Sequence, residues 1–184
     1  TSLHLSALGH DVLIVDNLSR RRIDAEMGVR SLTPITPIDM RLQAWREASG
    51  KEIRYQYIDI AQEYARLAAL IAEERPDVVV HFAEQRSAPY SMRSQVEKRY
   101  TVDNNVRGTH NLLVSLVEAD LDCHVVHLGT TGVYGYAGAG FEIPEGYLPV
   151  MVKDEHGTSH EREILYPTKP GSVYHTTKSI DQLL

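Results

Sequence analysis

The chain has 184 residues, 42% of them hydrophobic and 24% charged, enough for one domain with its own core. Lys and Arg number 19 against 25 Asp and Glu, a formal charge of −6, and no basic run exceeds Arg20–Arg22, so no nucleic-acid partner is expected. The lone Cys123 excludes a disulfide framework, and no apolar stretch approaches the ~18 residues that cross a bilayer, so no membrane span is expected.

In chain order, Leu3, Leu5 and Leu8 mark the end of a short helix that Gly9 stops, and Val12–Val15 follows as a strand closed by Asp16. Helix, turn, strand and acid form the second half of a β-α-β dinucleotide unit. In such a unit the acid ending the second strand bonds the adenosine ribose and repels a 2′-phosphate. Asp16 takes that role with Asn17 beside it, and NAD is favoured over NADP. The first strand and the glycine-rich phosphate loop are not in the sequence, which has neither GxGxxG nor GxxGxxG nor an initiating Met. A chain cut at its N-terminus is therefore expected.

From Leu18 to Gly50 the chain is basic and irregular, broken by Pro34 and Pro37, with a short helix over Arg41–Ala48. Arg20 is assigned to the adenosine end of a cofactor, while Arg21 and Arg22 are read as solvated. The alternation over Ile53–Ile60 predicts a strand, and its last two residues, Asp59 and Ile60, form an acid-apolar pair suited to flanking adenine. Leu67, Leu70 and Ile71 recur at helical spacing within Glu63–Glu74, a packing helix that Pro76 ends.

The stretch Val78–Met92 organises the rest. Its β-branched start predicts a parallel strand buried on both faces, and its polar continuation puts Glu84, Gln85 and Arg86 at the strand's carboxyl end, where open α/β sheets bind ligands. An ordinary charged surface loop is the plain alternative. Phe82 and Ala83, at the same strand end, are cofactor candidates. Gln95–Ala119 reads as a long helix with Val102, Val106, Leu112, Leu113, Leu116 and Val117 on its apolar side. Asn104 and Asn105 lie near its beginning, and Asn104 is assigned to the cofactor. His124–Leu128 is the next strand and opens into the turn Gly129–Gly135. The repeated strand-helix order predicts an α/β, Rossmann-like, doubly wound parallel sheet. Tyr147–Val152 and Ile164–Tyr166 read as a hairpin about His156-Gly157, with the polar run Lys153–Glu163 between the apolar pieces, and Ser172 begins a last helix that runs to Leu184.

That helix carries Tyr174 and Lys178, four residues apart and so on one face. A neighbouring ammonium favours the phenolate and brings the phenol towards general acid-base use. Chance produces such pairs often. The hydroxyl of Thr130, at the end of the preceding strand, raises this one. No metal site is expected: His124 and His127 are three apart on a strand and face opposite sides, and His156 and His160 lie in a polar loop. Chelation should leave turnover unchanged.

Several segments together resemble the extended short-chain dehydrogenase/reductases that act on nucleotide sugars, and within them the UDP-sulfoquinovose synthase branch. They are IVDNLSRR (Ile14–Arg21), SLTPI (Ser31–Ile35), VVHFAEQRSAPYSM (Val79–Met92), NNVRGT (Asn104–Thr109), LGTTGVYG (Leu128–Gly135), IPEGY (Ile143–Tyr147) and YHTTK (Tyr174–Lys178). The YxxxK pair and the VYG turn belong to the wider superfamily, whereas FAEQRSAPYSM and SLTPI point to the synthases. The resemblance implies bound NAD, with UDP-glucose and sulfite, or a sulfite donor, as substrates. It implies that Tyr174, aided by Lys178 and Thr130, takes the proton of the sugar 4-hydroxyl. It implies a sulfite site at Arg86, whose planar guanidinium offers several donors, with Glu84, Gln85, Ser87 and His175 as companions. A polar neighbour of the motif is the plainer reading of His175. Thr131 and Val133 stand where plant-type synthases carry methionine and glutamate, which moves the turn towards the epimerase form. The Asp-Glu pair that follows the threonine in 4,6-dehydratases is replaced by Thr131-Gly132.

Residues 1–184 are thus expected to be a partial Rossmann-type NAD-binding domain, with the sugar-nucleotide-binding C-terminal part largely absent. The chain by itself is expected to be poorly stable and inactive. A UDP-hexose 4-epimerase and a non-catalytic NAD or sugar-nucleotide binder are the alternatives. A cytoplasmic location is expected, or a plastid stroma if a transit peptide precedes the chain. Assembly is left open, a homodimer included.

Overall fold

The computed structural model describes residues 1–135, 147–165 and 168–184, so Ile143–Gly146 of the IPEGY segment and Tyr166 of the expected hairpin lie outside the described residues. The chain forms two compact units, Thr1–Gln85 with Arg107–Val126, and Arg86–Val106 with His127–Leu184.

The first unit opens with helix α1 (Ser2–Ala7), and Gly9 beyond it takes a left-handed φ of 98° that a side chain would strain. Strand β1 (Leu13–Val15) then runs parallel to β2 (Arg54–Gln56), with Leu13 opposite Arg54 and Val15 opposite Gln56. Between them lie α2 (Ser19–Glu26) and α3 (Ile38–Ser49). The segment expected to be irregular is therefore largely helical. The arginine triplet belongs to α2: Arg20 and Arg21 both pair with Asp24, and Arg22 with Glu26, at the i+3 and i+4 spacing of one helix face.

The strand expected over Ile53–Ile60 stops at Gln56. Asp59 turns the chain instead, its Oδ1 accepting the amides of Ala61 and Gln62 at 3.0 and 3.1 Å, and helix α4 (Tyr64–Glu74) follows. Strand β3 (Val78–His81) pairs with β4 (His124–His127). Its core side is carried by Val79, which packs with Val125 on Leu67, Ile71, Leu112 and Leu116. Burial on both faces is not met, since Val78 is 52% and Val80 36% exposed.

Helix α6 (Gln95–Glu118) contributes its later turns, with Leu112 and Leu116, to this core. Val102 and Val117 of its expected apolar side are exposed, because the buried stripe is narrower than the apolar sequence. In the second unit, the short helix α5 (Ala88–Ser91) and helix α7 (Val173–Asp181) pack together. Strands β5 (Tyr147–Lys153) and β6 (Ser159–Leu165) form an antiparallel hairpin with Tyr147 opposite Leu165 and Lys153 opposite Ser159. The run Ser159–Glu163 is strand despite its polarity, because β6 is solvated throughout and its ladder supplies the backbone partners. Among the described residues no helix is long and apolar enough to cross a membrane.

Candidate active site

The second unit holds the three expected acid-base residues. Thr130 follows β4 in extended backbone and caps the single 3-10 turn Thr131–Tyr134, its Oγ1 accepting the Gly132 amide at 3.2 Å. The turn packs on α7. Ser172 caps α7 in the same way, accepting the His175 amide at 3.2 Å, and so fixes the register from which Tyr174 and Lys178 project. Tyr174 is partly exposed, whereas Lys178 is buried. The Lys178 ammonium donates to the carbonyl of Leu128 at 2.6 Å and stands 3.2 Å from His127 Nε2 and 3.5 Å from Asp181 Oδ2. His127 and Asp181 were not singled out by motif; Asp181 could have been found as an acid three residues after a motif lysine, on the same helix face.

His175 is buried against Gly132, with Nδ1 3.1 Å from Ser172 Oγ. Its ring lies 5.2 Å from that of Tyr174, centroid to centroid. Asn104 is also buried: its amide donates to Asn105 Oδ1 at 3.0 Å, and Asn105 in turn donates to Thr177 Oγ1 at 3.1 Å. Ser91, from the SAPYSM segment, ties α5 to α7 by accepting the Tyr174 amide at 3.1 Å. Sequence reading missed it, although a serine with no water to bond must find a buried partner. Ser87 caps α5 by accepting the Tyr90 amide, and Arg86 beside it is exposed.

Glu84 and Gln85 belong to the first unit. The Glu84 side chain is turned inward, accepting from Thr109 Oγ1 at 3.3 Å with His81 Nε2 at 3.6 Å, and Gln85 is buried. Phe82 and Ala83 are exposed at the end of β3. At the end of β1 the Asp16 carboxylate is exposed and one oxygen accepts the Leu18 amide at 2.6 Å, Leu18 itself holding a left-handed φ of 53°. Asn17 donates to Asp59 Oδ2 at 2.9 Å, so the two candidate acids are linked through it. Ile60 packs on the core and touches the place a β-carbon on Gly108 would take. The structure therefore gathers Asp16, Asn17 and Asp59 in one unit and Thr130, Tyr174, Lys178 and His175 in the other.

Residues 2–180 match the NAD dependent epimerase/dehydratase family. The chloroplastic UDP-sulfoquinovose synthase of Spinacia oleracea is 42% identical over 98% of the chain, which covers 36% of that protein. The UDP-sulfoquinovose synthase of Sulfolobus acidocaldarius is 37% identical over 98% of the chain and 44% of its own length. In fold, the chain is similar to a UDP-glucose-4-epimerase from Stenotrophomonas maltophila, solved with NAD and formylated UDP-arabinopyranose, at a TM-score of 0.66 and 23% identity over 99% of the chain and 42% of that structure. The chain thus spans less than half the length of these relatives.

Proposed function

Because the chain belongs to the NAD dependent epimerase/dehydratase family, we propose that its protein converts UDP-glucose and sulfite to UDP-sulfoquinovose on bound NAD. The 42% identity to a synthase across nearly the whole chain carries this reading. Asp16 suits the cofactor: an exposed carboxylate at a parallel strand's carboxyl end can accept both ribose hydroxyls. NAD, which Asp16 would help to hold, would supply a reversible hydride acceptor for sugar C4. Tyr174 removes the 4-hydroxyl proton, Thr130 bonds the same oxygen, and the Lys178 charge favours the phenolate. The resulting ketone acidifies C5, so water leaves across C5 and C6. Sulfite sulfur then bonds C6, a proton returns to C5, and Tyr174 reprotonates O4 as C4 is reduced. Arg86 is the guanidinium suited to hold sulfite.

A UDP-hexose 4-epimerase is the second reading, favoured by Thr131 and Val133. Val133 is 1% exposed, so this position packs the turn. An acid there would need a buried partner.

The test incubates the full-length gene product with UDP-glucose, NAD and sulfite and follows the sugar nucleotide by mass spectrometry. A sulfonated product that Arg86→Ala fails to make supports the synthase. An unchanged mass with galactose configuration makes the protein an epimerase.

A further inference from the structure

Lys178 is 4% exposed in its side chain and Asp181 1%, so an ammonium and a carboxylate 3.5 Å apart are both removed from water on one helix turn. Such a pair is tolerated only when each charge answers the other and the remaining donors are satisfied. The Leu128 carbonyl, His127 Nε2 and Asp181 Oδ2 all lie within reach of the ammonium as acceptors. His127 Nε2 is also 3.2 Å from Asp181 Oδ2. One ring nitrogen cannot serve both neighbours. As a bare nitrogen it accepts from Lys178, and as N–H it donates to Asp181.

We propose that Asp181 and His127 are positioning residues for Lys178: Asp181 supplies the counter-charge that keeps an ammonium in this buried place, and His127 accepts one of its protons through Nε2. On the acid-base reading above, the charge that Lys178 lends to the Tyr174 phenol is then maintained by a side chain outside the YxxxK motif. Neither the YxxxK motif nor Thr130 implies this arrangement. The inference rests on the acid-base role of Tyr174 and Lys178, which the synthase and epimerase readings share.

The test needs no sugar. Phenolate formation by Tyr174 is titrated in the NAD-loaded full-length protein by ultraviolet difference against Tyr174→Phe. Asp181→Asn removes a carboxylate 3.5 Å from a buried ammonium, a change that disfavours the charged amine. The Tyr174 transition should move to higher pH, and Asp181→Glu should restore part of the displacement. Hydride transfer from UDP-glucose to NAD should fall about 10-fold or more at neutral pH and recover on the alkaline side, the scale of a general-base contribution. An unmoved or lowered Tyr174 transition in a folded Asp181→Asn protein overturns the proposal. Should that variant not fold, His127→Leu, altered at a more exposed position, decides: a smaller displacement in the same direction supports the proposal, and none overturns it. Absent hydride transfer in the parent, with the titration behaving as stated, instead removes UDP-glucose as substrate.

Discussion

The His175 ring occupies the space that a β-carbon on Gly132 would need: its Nε2 lies 2.2 Å from that position. The ring is buried and held by Ser172, so it has little room to withdraw. A glycine thus stands two residues after Thr130 because α7 leans directly on the turn.

Gly132→Ala should therefore destabilise the protein by about 1–3 kcal/mol, the usual cost of overpacking. Most of that cost should vanish in a His175→Ala background. Melting temperatures of the four proteins in this cycle measure it, and an equal cost in both backgrounds would deny the contact.

The Ser91 hydroxyl joins α5 to α7 by accepting the Tyr174 amide at 3.1 Å while donating to the Ala88 carbonyl at 2.8 Å. Ser91→Ala strips a buried donor of its acceptor at the start of α7. A loss of about 1–3 kcal/mol is expected in denaturant unfolding. Ser91→Thr, which keeps the hydroxyl, should lose less if the pocket admits its methyl, and more if packing alone matters.

The elements easiest to read in the sequence were those whose pattern and packing agree. Leu67 and Ile71 on α4, and Leu112 and Leu116 on α6, recur at helical spacing and meet in the core. Ser172 announced α7 because a cap satisfies an orphan amide locally. Helix α2 was hidden because Arg20–Arg22 look like a solvated run until Asp24 and Glu26 are placed three and four residues on. The alternation over Ile53–Ile60 places Asp59 at a strand end, whereas its carboxylate competes for backbone amides and turns the chain. In the candidate site, the spacing of Tyr174 and Lys178 and the place of Thr130 after a strand single them out, and all three fall in one unit. Spacing does not single out His127 and Asp181, since what marks them is burial around one ammonium, and burial is a tertiary property.

Asn105 and Thr177 are fully buried and joined by a 3.1 Å hydrogen bond from α6 to α7, and the Thr177 hydroxyl donates onward to the Tyr174 carbonyl at 2.7 Å. Thr177→Val preserves shape but removes both bonds. It should cost about 1–3 kcal/mol. Hydrogen exchange should show faster opening of α7 than of α4, whose contacts lie in the other unit; uniform acceleration would mean that the pair supports the fold generally.

The Asp154 carboxylate organises the tip of the β5-β6 hairpin. Its Oδ2 meets His160 Nε2 at 2.9 Å, and its Oδ1 accepts the amides of His156 and Thr158, each at 2.9 Å. The His160 bond, followed by the backbone amides, lowers its pKa below the ordinary aspartate value. A carboxylate lowered in the folded state contributes stability above its unfolded pKa and loses it as pH falls through the lowered value. The Thr158 amide should therefore stay protected from exchange at neutral pH and lose protection only on acidification below the usual carboxylate range. Asp154→Ala should show weak protection at every pH. Protection in the parent that persists even well below that range would mean that the hairpin ladder alone holds the turn.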